Sequence, residues 1–392
     1  MQVTGEQEKL RFALLGDDPD GIAMALALQG SGRYVLRTYG GPRAGAEALA
    51  QQGLAMNIAR DFEELLADPE CELVIVADQP GYRAQALRRA LQSEKHILCA
   101  YPPDHSPEIA YEAAMIQADT HCVLLPLLPH VFHPAVVLLA ETLQSKQSRL
   151  GALRLLELRQ SRTGHVVIES AVAGQKPAIP GWEILRTLAG EIAEVSAVAS
   201  SEEVQGDEPL MLSGRFEPAG LFQMQLLPNQ TADTVVIVAH ATAGQAHVSL
   251  PGGWIGPAQF ELRLDTGERE VQDWPTWNPW PKMVEVLERA FAGDSEDARI
   301  SWQTATRCLE LDDAARRSLQ HHRVSTLEYA EATEEVGFKS TMALAGCALL
   351  WVVLLLYILA LWVPWLAWVI LPVLVFFLAL QLLRWLIPKK GS

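Results

Sequence analysis

Between Glu72 and Pro103 the chain reads ELVIVADQPGYRAQALRRALQSEKHILCAYPP, the stretch that most restricts what it can fold into. The apolar run at 73–77 is too short and too β-branched for a helix and reads as a buried strand. A segment of helical period follows, with Ala84, Leu87, Ala90 and Leu91 on one face and Arg83, Arg88 and Arg89 off it. Residues 96–99 form a second apolar strand that runs into Tyr101, Pro102 and Pro103. Strand, helix and strand within about 30 residues make a parallel βαβ unit. Parallel strands present ligands at their carboxyl ends. Position 101 is therefore where a reactive side chain belongs, and it holds a tyrosine.

The same alternation starts at residue 10. Residues 10–15 (LRFALL) are a strand ended by Gly16, and 22–28 form a buried helix. A dinucleotide fingerprint would place G-x-G-x-x-G in the turn between them. Here the six positions are Gly16, Asp17, Asp18, Pro19, Asp20 and Gly21. The outer glycines allow the tight turn and close helix–strand packing. The middle position, where backbone must approach a pyrophosphate, is Asp18. Three carboxylates at a helix N-terminus satisfy its dipole internally and repel a diphosphate. Residues 34–39 form a second strand, whose end should carry an acid for the adenosine ribose; Tyr39, Gly40 and Gly41 stand there instead. Arg37 and Arg43 leave room for a 2′-phosphate, with solvated surface as the plainer reading. Helices at 47–52 and after the Asp61 cap, a short strand at 54–58, a helix at 107–118 and a strand at 121–127 complete a doubly wound pattern.

Beyond residue 128 the pattern changes. A helix opened by Pro134 spans 133–144, with another at 181–188. Strands are expected at 150–159, 192–200, 210–216, 222–227, 234–240, 246–250 and 259–265, which as consecutive strands imply a mixed or antiparallel sheet. Amphipathic helices at 282–292 and 301–320 close this part. The first half is α/β and the second α+β.

The formal charge of −16 argues against nucleic acid as a partner. Mean hydropathy is nonetheless positive, at +0.11, and residues 341–390 account for it. This segment, TMALAGCALLWVVLLLYILALWVPWLAWVILPVLVFFLALQLLRWLIPKK, has about 46 nearly uncharged residues, enough for two spans of about 20 each. Pro364, with Trp362, Trp365 and Trp368 around it, marks the turn of a helical hairpin at the far interface. Lys339, Arg384, Lys389 and Lys390 put both ends on the cytoplasmic side of an inner membrane. The five cysteines show no metal or disulfide spacing, and the N-terminus lacks an apolar signal core. The expected organisation is a tail (1–9), a Rossmann domain (10–128), an α+β domain (129–330), a linker (331–340) and the transmembrane hairpin (341–388).

Over residues 10–327 the chain resembles the glucose–fructose oxidoreductase, inositol dehydrogenase and MocA (Gfo/Idh/MocA) family. The blocks that carry the likeness, in order, are DFEELLADPECELVIVAD (61–78), KHILCAYPP (95–103), FHPAV (132–136), EILRTLAGEIAEVSAVAS (183–200) and DARISWQTATRCLELDDAARRS (297–318). The resemblance implies a Rossmann domain binding NAD or NADP, through Gly16, Asp18, Gly21, Asp78 and Tyr101. It also implies a second domain with an open-faced sheet used for substrate binding and for oligomerisation. The family's Glu-Lys-Pro falls on Ala100-Tyr101-Pro102, so its proton-transfer lysine is absent. Its D-x-G-x-H-x-x-D falls on residues 176–183, where Pro180 takes the histidine's place and Glu183 approximates the last acid.

Oxidising an alcohol by hydride transfer requires a group to take the hydroxyl proton near neutral pH. Proline cannot, and a tyrosine of pKa about 10 is a poor base without a neighbouring cation. The catalytic candidates are thus Tyr101, as proton donor, and Glu183. His121, His130 and His133 gather near the sixth strand's end without metal-site spacing, and no metal is expected. Arg316, Arg317, His321, His322 and Arg323 make a basic patch ahead of the tail. The sequence supports a membrane-anchored member of degenerate chemistry, acting as a binding, scaffold or complex subunit. Its partners would be the bilayer, a membrane protein or a second copy of the chain. The alternatives are an active NAD(P)-dependent oxidoreductase using Tyr101 and a sensor that binds nucleotide or sugar without turnover.

Overall fold

The computed structural model describes residues 9–326, apart from positions 105, 121, 146–147, 164–177, 200–207, 295–296 and 322–323. The expected hairpin, His121, His322, Arg323 and Lys176 lie outside the described residues.

The first half alternates as its hydrophobic pattern requires. Its elements are β1 (Leu10–Leu15), α1 (Pro19–Gly30), β2 (Tyr34–Gly40), α2 (Arg43–Gln51), β3 (Asn57–Ile58), α3 (Phe62–Ala67), β4 (Leu73–Val76), α4 (Pro80–Gln92), β5 (His96–Ala100), α5 (Glu108–Thr120) and β6 (Leu124–Leu127). The strands pair in parallel in the order β3-β2-β1-β4-β5-β6. All four residues of β4 are buried, as a strand covered on both faces must be. The order reverses direction between β1 and β4, the switch point at which open α/β sheets hold ligands.

The second half contributes α6 (Pro134–Gln144), β7 (Leu153–Ser161), α7 (Trp182–Ala189), β8 (Ile192–Ala199), β9 (Leu210–Phe216), β10 (Leu221–Leu227), β11 (Thr234–Ala241), β12 (Gly244–Pro251), β13 (Ala258–Leu264), β14 (Arg269–Trp274), α8 (Trp280–Phe291), α9 (Trp302–His321) and β15 (Ser325–Thr326). Nine strands form a mixed sheet, order β14-β13-β12-β11-β7-β10-β9-β8-β15, in which only β7 and β10 run parallel among the described pairs. One row across it, Ala197–Leu212–Met224–Leu158–Ile237–Val248–Phe260, is buried throughout. The opposite face carries the exposed Val198, Met211 and Leu221, so one side of the sheet is covered and the other open.

The two sheets meet through α1 and α8, where Arg33 Nη2 donates to Glu288 Oε2 (2.6 Å), and through α9, whose buried Trp302 Nε1 donates to the Ala110 carbonyl of α5 (2.9 Å). α9 also packs against β6.

The expected elements are present with shifted ends, and two strands, β14 and β15, were unexpected. β14 is almost wholly exposed, so its REVQDW sequence carries no alternation of apolar and polar residues. Among the described residues no helix is long and apolar enough to cross a membrane.

Candidate functional site

The turn after β1 has the shape of a dinucleotide-binding turn. Gly16 has a φ of +93°, and a Cβ there would overlap the Ala77 carbonyl at the end of β4. A Cβ on Gly21 would overlap the Ala77 Cβ, so α1 packs on β4 as closely as the pattern promises. Three donors of this turn are engaged within the chain. Gly16 N–H reaches Gly40 O (2.7 Å), Asp18 N–H reaches Ala77 O (2.9 Å) and Asp20 N–H reaches Asp18 Oδ1 (3.0 Å). Pro19, the first residue of α1, has no N–H to offer. Burial and the neighbouring Asp18 raise the Asp20 carboxyl to about 6, against the pull of Arg83.

Arg83 was read from its period as lying off the buried face of α4. It is instead 1 % exposed and is the centre of the site. Its Nε donates to Asp78 O (2.8 Å), its Nη1 to Ala100 O (3.3 Å) and Pro102 O (2.6 Å), and its Nη2 to Asp18 Oδ2 (2.8 Å). One guanidinium thus joins the ends of β1, β4 and β5 across the switch point. Asp78 is held by its carbonyl to Arg83, while its Oδ1 accepts from Gln79 N–H (2.8 Å). Sequence reasoning missed Arg83, although a signal existed. A cation in the first turn of a helix opposes the helix dipole and needs a local anion to hold it there.

At the end of β2, where a ribose-binding acid was sought, the ring of Tyr39 is fully buried and its hydroxyl donates to Pro42 O (2.9 Å). A Cβ on Gly45 would overlap that hydroxyl, and one on Gly41 would crowd it and Gly16 Cα. Burial, then Asp17 and Asp78, push the Tyr39 phenol up to about 12. Arg37 and Arg43, the candidates for a 2′-phosphate, are paired with Asp68 (2.5 Å) and Glu70 (2.8 Å), and with Glu47 (2.8 Å).

A second group gathers around Tyr101, whose backbone neighbours Ala100 and Pro102 are the carbonyls bound by Arg83. The Tyr101 hydroxyl is buried without a hydrogen-bond partner among the described residues. Burial, with Cys308, Glu183 and Asp312 adding negative charge against Arg186, holds its pKa well above the usual phenol value. Glu183, in the first turn of α7 and 8 % exposed, is raised by burial, while the Gly181 N–H donating to its Oε2 (3.2 Å) works the other way. Asp312 of α9, also raised by burial, accepts from Ile179 N–H (2.7 Å) and from Arg316 Nε (2.7 Å). Gln160 of β7 donates to Pro180 O (3.0 Å), so the 178–181 segment is tied from two sides. Arg186 pairs with Glu191, and burial pushes the nearby Cys308 thiol up to about 12. Asp312 and Gln160 were not singled out from the sequence; the spacing of Asp312 to Arg316 was their faint trace. Tyr101 and Glu183 therefore lie in one buried group, in which burial keeps the phenol neutral near pH 7 and pushes the carboxyl upward.

Among the described residues the histidines do not assemble as a group of ligands. His130 stacks on Trp254 (4.6 Å between centroids), and fully buried His133 faces the rings of Trp254, Trp274 and Trp277. His133 Nδ1 accepts from Ala135 N–H (3.2 Å), capping α6, and burial lowers both imidazoles to about 4. In the basic patch, Arg316 and Arg317 are paired with Asp312 and Asp313. Cys71, Cys99, Cys122 and Cys308 are buried free thiols.

Comparison with known proteins fits this frame. Residues 38–127 match the model of the Gfo/Idh/MocA family, described as an oxidoreductase family with an NAD-binding Rossmann fold. No curated protein sequence matches the chain. Among solved structures, an NAD-binding oxidoreductase from Klebsiella pneumoniae superposes with a TM-score of 0.68 at 16% identity, over 82% of this chain and 100% of that one. Levoglucosan dehydrogenase in complex with NADH and levoglucosan gives 0.68 at 17%, over 82% and 100%. At such identities the likeness speaks for the fold alone. Residues 38–127, within the parallel-sheet half of this chain, are thus similar to the Gfo/Idh/MocA oxidoreductase family.

Proposed function

We propose that the chain keeps this oxidoreductase fold without its hydride-transfer chemistry and serves as a binding, scaffold or complex subunit. In the cell it is held at the cytoplasmic face of the inner membrane by residues 341–388. The observation that supports this most is at Tyr101. The residue in the lysine's place is a phenol that burial raises well above its ordinary pKa, so that it stays neutral near pH 7. General-base catalysis of alcohol oxidation needs a group that is unprotonated near neutral pH. The open face of the second sheet, with Val198, Met211 and Leu221 exposed, is the surface for a second copy of the chain.

One observation favours the active reading. The Tyr101 hydroxyl has no partner among the described residues, as a donor reserved for a substrate oxygen would have none. The two readings separate in an assay of the full chain in detergent, with NADH and NADPH against sugar and polyol carbonyls. Absence of turnover, with Tyr101→Phe indistinguishable from wild type, is the expected result. Turnover that Tyr101→Phe abolishes would replace the scaffold reading with an enzyme. Binding of nucleotide or sugar without turnover would mark a sensor. Light scattering of the purified chain decides whether a second copy is bound.

A further inference from the structure

We propose that the Asp18–Arg83 pair is a built-in plug of the dinucleotide crevice, closed at its adenosine end by Tyr39, so that the wild-type chain takes up neither NAD(H) nor NADP(H). The plug lies where the sheet order places a ligand. β1 and β4 flank the switch point, and the pair crosses it from the β1–α1 turn to α4. A diphosphate at such a turn is held by free backbone N–H groups and the positive end of the helix. Here the Asp18 carboxylate occupies the cap and takes the Asp20 N–H, Pro19 offers no donor, and Asp18 N–H is spent on Ala77 O. A diphosphate approaching this turn would meet the Asp18 carboxylate, already paired with Arg83, in place of the Asp18 and Asp20 donors.

Arg83 supplies the other half of the plug. A buried guanidinium beside a Rossmann turn would ordinarily attract phosphate. This one is neutralised by Asp18, and its nitrogens are committed to Asp78 O, Ala100 O and Pro102 O. At the far end, the Tyr39 ring lies against Gly41 and Gly45, whose missing side chains make room for it. The crevice is thus lined by its own anion, its own cation and its own aromatic ring. The disagreement with an NAD-binding family lies in these three residues, while Gly16 and Gly21 preserve the backbone path.

This inference rests on the Rossmann fold and not on the loss of hydride transfer, so the two are overturned by different readouts, binding and turnover. Removing the Asp18 charge leaves a buried arginine without its anion, and a diphosphate is then the anion that fits. The full chain in detergent is titrated with inorganic pyrophosphate and with NADH, followed by melting temperature and by NADH fluorescence. Wild type responds to neither at millimolar concentration. Pyrophosphate stabilises Asp18→Gly, and Arg83→Gln in the same chain cancels the gain. Adding Tyr39→Ala to Asp18→Gly tightens NADH at least tenfold over wild type, about 1.4 kcal/mol, without changing the response to pyrophosphate. Should Asp18→Gly fold poorly, Asp18→Asn keeps the cap's acceptor and carries the same readout, and recovery of either variant by pyrophosphate supports the plug. Saturation of wild type by micromolar NADH overturns it, as does a folded Asp18 variant that gains nothing.

Discussion

Burial decides what Tyr101 and Asp20 can do, and it does so through desolvation. The Tyr101 hydroxyl has lost its water and found no partner among the described residues, a cost of roughly 1–3 kcal/mol for an unsatisfied buried polar group. Tyr101→Phe keeps the ring between the two hydrophobic clusters it touches and removes the unpaired oxygen. Urea unfolding should therefore show the variant as stable as wild type or more so, by about 1 kcal/mol. A loss of that size would show that the hydroxyl holds a partner in solution. Asp20 gives a pH dependence of defined sign. Its native value of about 6 lies above the ordinary 3.8, so the folded chain keeps this proton longer than the unfolded chain. The stability it contributes is complete below pH 3.8, declines as pH rises through that window, and is gone above about 6. Asp20→Asn abolishes this component. Its urea midpoint should fall less than that of wild type across the same window, and parallel falls would show that Asp20 titrates normally.

At the level of elements, the β1–α1–β4 junction has the tightest geometry to test. Gly21 lets α1 lie against β4, and a methyl group there would collide with the Ala77 Cβ. Gly21→Ala should cost about 1–3 kcal/mol, the usual range for overpacking a core, and an unchanged urea midpoint would mean that α1 does not rest on β4. This junction was legible in the sequence because a strand, two spaced glycines and a helix leave few alternatives. β4 and β5 were legible because buried parallel strands are continuous apolar runs. β14 was not, because an exposed edge strand carries no period. The site was only half legible. Asp18 and Tyr101 stand out as departures at fixed motif positions. Arg83 looked like solvated surface by helical period, and only the fold brings Asp18, 65 positions away in the chain, to its guanidinium. The same holds for Asp312, whose partner Ile179 lies 133 positions away.

On the scale of the whole molecule, residues 341–390 must be reconciled with a highly charged remainder. The chain carries 47 acidic and 31 basic residues, yet this segment has about 46 nearly uncharged positions, well beyond the roughly 20 that one span requires. A water-soluble fold would have to bury that run against something, and the described sheets already have their own cores. A bilayer meets the need without a further protein surface, since a helical hairpin satisfies its backbone internally. The basic residues at both ends, Lys339 on one side and Arg384, Lys389 and Lys390 on the other, favour a hairpin whose ends share the cytoplasmic side. The expected outcome is that the full chain stays in the membrane pellet after alkaline carbonate and leaves it only with detergent. In inverted vesicles, protease should digest the sheets. In spheroplasts, whose outer surface is the periplasmic one, the sheets should be spared. Recovery of the full chain in the carbonate supernatant would remove the anchor from the proposed function. It would leave the plugged crevice untouched, because that depends on Asp18, Arg83 and Tyr39 alone.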